Sequence, residues 1–179
     1  MELFRDEDGT YSLATVPAPE TKALRAGKAM KYGSFSAGTK KVAKKLPVAN
    51  KGICEIVLEL NTGSAEIVYI TLANAKGEET VMSYDPAKRI FSMDRTRSGL
   101  TGFSKDFPAV TEAPCPKGNK QTLRLFVDRC SIEAFEGEGR FAMTNLVFPE
   151  EPYTTVAVSA SKGTCKVNNL IVYPLNVNK

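Results

Sequence analysis

Histidine and tryptophan are both missing from this chain of 179 residues. Histidine is the commonest general base near neutral pH and a frequent metal ligand, so His-dependent triads and His metal sites are excluded. Tryptophan is a favoured flat platform for stacking on sugar faces, and its absence lowers the case for a strong carbohydrate-binding surface. Only four cysteines occur, Cys54, Cys115, Cys130 and Cys165. They are widely separated and form no CxxC pair, which argues against zinc. Cys54 and Cys130 sit in strand-like runs and Cys165 opens another, so all read as buried small hydrophobes. A disulfide stays open for an exported protein, with no connectivity readable. No apolar run approaches the roughly 20 residues of a membrane helix, so membrane insertion is not expected. The opening MELFRDEDG carries acidic residues where a secretory signal has a basic start and an apolar centre. No metal or cofactor is expected.

What is present is ordinary for a globular protein: 42% apolar and 25% charged residues. The length suits one all-β domain spanning residues 1–179, with a lead-in over 1–20, a basic stretch over 22–51 and a core over 53–173. The net charge of +4 is unevenly spread, because Lys22 to Lys51 contains no acidic residue. Lys40, Lys41, Lys44 and Lys45 could hold a polyanion by counterion release. The plainer reading is a solvated loop or short helix whose Val42, Ala43 and Leu46 touch the core. Nucleic-acid binding would want interleaved aromatics, and only Tyr32 and Phe35 lie nearby, so no nucleic-acid partner is expected.

From Ile53 onward the pattern is strand after strand. Cys54, Ile56, Leu58 and Leu60 alternate with Glu55, Val57 and Glu59, which predicts a half-buried strand ended by Asn61-Thr62-Gly63-Ser64. Glu66 to Ala73 is too apolar for an exposed face and is expected to lie centrally. Asp85-Pro86-Ala87-Lys88 predicts a hairpin between 79–84 and 89–94. Thr96 to Asn119 reads as a long surface excursion. Thr154–Ala160 and Cys165–Tyr173 close the fold. No long helix is expected, and roughly a dozen short strands imply an all-β, two-sheet antiparallel sandwich, jelly-roll or concanavalin-like.

The richest stretch is LRLFVDRCSIEAFEGEGRFAMTNLVFP at 123–149. Leu123, Leu125 and Val127 share one strand face while Arg124, Phe126 and Asp128 take the other. Ser131 to Phe135 reads as more strand, Glu136 to Gly139 as a turn, and Phe141 to Phe148 as the returning arm of a hairpin. Phe126, Phe135, Phe141 and Phe148 are expected in the core or between sheets.

VDRCSIEAF at 127–135 and TNLVFP at 144–149 resemble the C-terminal β-sandwich of glycoside hydrolase family 32, the invertases, levanases, inulinases and related fructan hydrolases. Cys130 departs from the family's usual Ser, and Ile132 is a conservative change. DRTRSG at 94–99 is similar to the family's Asp-Arg-x-x-Ser-Gly segment, and LFRDEDGTYSLATVP to the lead-in of the module. The resemblance implies family-motif structural positions at Asp128, Arg129, Glu133, Phe135, Phe148 and Pro149. It also implies an exported parent glycosidase whose catalytic groups lie in an N-terminal five-bladed propeller, a partner outside this chain. The family's Trp-Met-Asn-Asp-Pro-Asn, Arg-Asp-Pro and Glu-Cys motifs have no counterpart in this sequence, so no catalytic residue is carried over.

Asp128 and Glu133 are the tempting carboxylates, since a retaining glycosidase needs two, about 5–5.5 Å apart. Their odd spacing puts them on opposite sides of an uninterrupted strand, unless a bulge near Cys130 realigns them. A structural ion pair of Asp128 with Arg129, Arg124 or Arg140 is the preferred reading. Asp94, Arg95, Arg97 and Ser98, with Phe103, Phe107 or Tyr84 adjacent, form the best remaining polar group. Guanidinium forks suit carboxylates and vicinal sugar hydroxyls, so Asp94, Arg95, Arg97 and Phe103 are candidate ligand-binding residues. Docking against the propeller and simple turn stabilisation are the alternatives. Three functions are expected, in order of preference: a noncatalytic module of a fructan- or sucrose-hydrolysing enzyme, an independent fructan-binding module, and a self-sufficient glycosidase using Asp128 and Glu133.

Overall fold

The computed structural model describes residues 2–5 and 9–176. Among these, β1 (Glu2–Arg5) and β2 (Tyr11–Ala14) form a small sheet of their own. A 3₁₀ turn at Pro19–Leu24 leads to the short strands β3 (Met30–Lys31), β4 (Phe35–Ala37) and β5 (Val42–Lys45). A second 3₁₀ turn at Ala49–Gly52 then opens the main run. It comprises β6 (Cys54–Asn61), β7 (Val68–Ala73), β8 (Glu79–Asp85), β9 (Ile90–Arg97) and β10 (Val110–Pro114). β11 (Lys120–Val127), β12 (Ser131–Glu136), β13 (Ala142–Leu146), β14 (Thr155–Ala160) and β15 (Cys165–Pro174) complete it.

Two antiparallel sheets make the sandwich. One has the order β10-β9-β8-β7-β14-β5, and the other β13-β12-β11-β6-β15-β3, with β4 also paired to β15. The alternation read from the sequence sets which side chains meet between them. Ile56, Leu58 and Leu60 of β6 and Leu123 and Leu125 of β11 face Val68, Ile70 and Leu72 of β7 and Phe91 and Met93 of β9; each is at most 1% exposed. Each such side chain contributes about 1.5–3 kcal/mol on burial. β7 lies between β8 and β14, so the apolar run at 66–73 is central as expected. The Asp-Pro hairpin also forms, with Asp85 Oδ1 accepting the Ala87 and Lys88 N–H groups at 3.0 and 2.9 Å.

Several expectations are corrected. Residues 123–149 form a three-stranded meander, because the chain reverses at Asp128–Cys130, where the Asp128 N–H donates to the Ser131 carbonyl at 2.9 Å. Cys130 sits in that reversal and is exposed, while Cys54, Cys115 and Cys165 are buried; all four are free thiols. Of the phenylalanines, Phe141 is in the core, stacked on Phe91 at 4.7 Å, whereas Phe126 and Phe135 lie half-buried on the outer face of their sheet. Phe148 is half-buried in a surface aromatic group.

In the basic stretch, Lys40 and Lys41 lie in irregular chain at and just after a bend, as the loop reading expects, but Val42–Lys45 is a strand, not a loop or helix. This strand, β5, is an edge strand paired to β14, with Leu46 buried, Val42 half-buried against the core and Ala43 exposed. Lysines on an edge strand discourage pairing with another chain. The excursion at 96–119 holds one regular element, β10, paired to β9.

Candidate functional site

The two family-like segments, fifty residues apart in sequence, meet in one seam. Asp94, near the end of β9, accepts the Thr96 N–H on Oδ1 at 2.8 Å, and the Ser98 N–H donates to the Arg95 carbonyl at 3.2 Å. The resulting turn brings Gly99 beneath Phe148. Its φ is +125°, and a Cβ there would stand 2.2 Å from the Phe148 carbonyl oxygen, so only glycine fits. Next to it, the Leu100 N–H donates to the same carbonyl at 2.8 Å. Tyr153, from the segment after Pro149, donates its hydroxyl to the Ser98 carbonyl at 3.1 Å.

An aromatic corner stands on this seam. Phe107 and Phe148 stack at 5.3 Å, and Phe103 leans on both, at 4.6 and 5.7 Å, with 64% of its surface exposed. The Arg95 guanidinium lies over the Phe107 ring at 4.4 Å. Its Nε is buried without a hydrogen-bond partner, as is Ser98 Oγ. The cation–π contact offsets part of that cost for Arg95.

Of the four candidate ligand-binding residues, Arg95 and Phe103 therefore share one corner. Asp94 is engaged with its own turn, and Arg97 pairs with Glu79 at 2.9 Å. Tyr84 is not adjacent: it is buried at the other end of β8, donating to the Gly118 carbonyl at 3.0 Å.

The motif around Asp128 is a turn flanked by two grooves. Asp128 Oδ1 accepts the Arg129 N–H at 2.7 Å, and Asp128 has no ion pair among the described residues. Arg124 turns instead to Glu55, and Arg140 to Glu138 at 2.9 Å. The first groove, of about 370 Å³, is lined by Asp128, Glu133, Phe126 and Phe135, together with Thr21 and Leu24. Asp128 and Glu133 thus border one groove, contrary to the opposite faces expected, because the strand ends before Asp128. The second groove, of about 250 Å³, is lined by Arg129, Pro149, Lys51 and Tyr153.

A buried charge cluster underlies the first groove. Glu55 points to the outer face of β6, where the alternation predicts solvent, yet it is 0% exposed. The Pro19–Leu24 turn covers it: Arg25 donates from Nε and Nη2 at 2.7 and 2.9 Å, and Arg124 on neighbouring β11 donates from Nε. Arg124 also donates to Thr21 Oγ1 at 3.1 Å, and Arg25 stacks on the Tyr173 ring at 3.7 Å. Burial pushes the Glu55 carboxyl up, but the two guanidiniums outweigh it and hold the carboxyl below its ordinary value. Sequence reasoning missed this cluster because nothing local to β6 marks Glu55; its partners lie 30 and 69 residues away.

The site thus offers an exposed phenyl ring packed on two others, one of which carries a guanidinium, and a groove with two phenyl rings and two carboxylates. Such surfaces suit stacking, hydroxyl recognition or contact with another domain.

The family model described as "Glycosyl hydrolases family 32 C terminal" matches residues 20–174. The levanase of Bacillus sp. (strain L7) is 34% identical over 128 residues, covering 69% of this chain and 14% of the levanase. The extracellular exo-inulinase of Aspergillus awamori is 31% identical over 100 residues, covering 55% of this chain and 19% of the inulinase. The chain therefore spans under a fifth of the length of these curated relatives. The crystal structure of exo-inulinase from Aspergillus awamori superposes with a TM-score of 0.79 at 24% identity, over 97% of this chain and 34% of that one. Fructan 1-exohydrolase IIa from Cichorium intybus gives 0.76 at 14% identity, over 97% and 40%. At such identities the structural likeness is one of fold.

Proposed function

The chain belongs to the glycosyl hydrolase family 32 C-terminal family, and on that footing we propose that it is the noncatalytic sandwich module of a fructan- or sucrose-hydrolysing glycosidase. In this reading it steadies an N-terminal five-bladed propeller that carries the catalytic groups, and its aromatic corner borders the propeller's cleft. The parent is exported, as the family resemblance implies.

The observation that carries the reading is how the family-like segments use their polar groups. Asp94 and Asp128 accept backbone N–H bonds within their own turns, and Gly99 seats under Phe148. Charge in these segments builds a scaffold. The test is to incubate the purified chain with levan, inulin and sucrose. No fructose release above buffer is expected; release that Asp128→Asn abolishes would overturn the proposal.

A second reading, a fructan-binding surface, is favoured by Phe103, an exposed ring held on Phe107 and Phe148 beside Arg95. Calorimetric titration with levan, inulin or sucrose decides it. Saturable binding weakened by Phe103→Ala or Arg95→Ala supports it, and no heat at millimolar sugar removes it.

A further inference from the structure

Among the described residues, β1 and β2 pair only with each other, and their register sets Leu3 opposite Leu13 and Arg5 opposite Tyr11. Side chains alternate across a strand, so these four share one face of the hairpin. Leu3, Tyr11 and Leu13 on that face are 58–64% exposed. The opposite face is the one turned to the sandwich: Ala14 is buried, and the Phe4 ring receives the Arg140 guanidinium at 5.2 Å. Just beyond β2, the Thr15 N–H donates to the Gly139 carbonyl at 2.8 Å. An isolated two-stranded hairpin is marginal in water, and a row of exposed apolar side chains on its free face makes it more so.

The family model begins at residue 20, beyond the hairpin, while the curated relatives are more than five times as long as the part this chain matches. We infer that the outer face of β1–β2, with Leu3, Tyr11 and Leu13, is the seam against the N-terminal domain of the parent polypeptide. The occupant is an apolar sheet surface of that domain. The hairpin is then a wedge, held to the sandwich through Phe4, Ala14 and Thr15 and to the other domain through its leucines. This rests on the accessory-module reading and adds the surface through which the module acts.

The test is hydrogen exchange on two proteins, the 179-residue chain and the longer gene product in which an N-terminal domain precedes it. Amides of β1 and β2 are expected to exchange at least tenfold more slowly in the longer product. Leu3→Asp with Leu13→Asp should remove that protection while leaving β6, β7 and β11 unchanged in both proteins. Equal hairpin rates in the two proteins overturn the inference, as does a native product of 179 residues with a freely exchanging hairpin. Protection that rises with concentration in the isolated chain also overturns it, since a second copy would then be the occupant. Fructose release by the isolated chain defeats the accessory reading; an unprotected hairpin in the longer product of an inactive chain defeats the seam alone.

Discussion

Replacing Glu55 by glutamine keeps the shape of the buried cluster and removes its negative charge, leaving Arg25 and Arg124 facing a neutral amide. Removing one partner of a buried ion pair costs about 3–5 kcal/mol. The two arginine side chains keep 26% and 18% exposure, so water recovers part of the loss, and we expect about 2–3 kcal/mol for Glu55→Gln. For a domain of this size that corresponds to a Tm lowered by about 4–12 °C. Urea denaturation at pH 7 gives the free-energy difference directly, with an unchanged slope showing that the denatured state is comparable.

The pH dependence supplies the sharper check. The carboxyl sits below its ordinary value of 4.5 in the folded chain. Its contribution is therefore fully present above about pH 4.5 and is lost as pH falls through the folded value. The gap between the native protein and Glu55→Gln should be constant from pH 7 to about 5 and narrow below about 4.5, first because the unfolded carboxyl takes up a proton and fully once pH has fallen through the lower folded value. A gap under about 0.5 kcal/mol would refute the reasoning. A gap that stays the same at about pH 3.5 would show that packing of the Pro19–Leu24 turn, and not charge, carries the effect.

Two further outcomes are expected. Gly99→Ala should cost about 3 kcal/mol or more, since it combines a left-handed φ with a contact that backbone atoms must yield to; an unchanged thermal midpoint would show that the seam at Phe148 is soft. With a thiol reagent near neutral pH, Cys130 alone should label in the native protein, because burial pushes the Cys54 and Cys115 thiols up to about 12 and raises Cys165 as well. Mass spectrometry showing two or more labels before unfolding would contradict it.

Alternation at period two is a local property, so its products were legible in the chain alone: the strands β6, β7, β8, β9, β11 and β15, the Asp-Pro hairpin, and the inward faces that form the core. The family-like segments likewise identified the fold through residues that meet in one seam. Turns without strong signals leave no such mark: no glycine or proline announces the reversal at Asp128-Arg129-Cys130, so the alternation runs through it as if the strand continued. Where the charges and rings went was a matter for the assembled sheets. Tertiary packing buried Glu55 under a turn from 30 residues upstream, sent Arg124 and Arg97 to distant glutamates, and separated Tyr84 from the corner that gathers Arg95, Phe103, Phe107 and Phe148. The physical reason is that a side chain's solvation and ion-pair partners depend on which strands lie side by side, and that order is set by long-range packing.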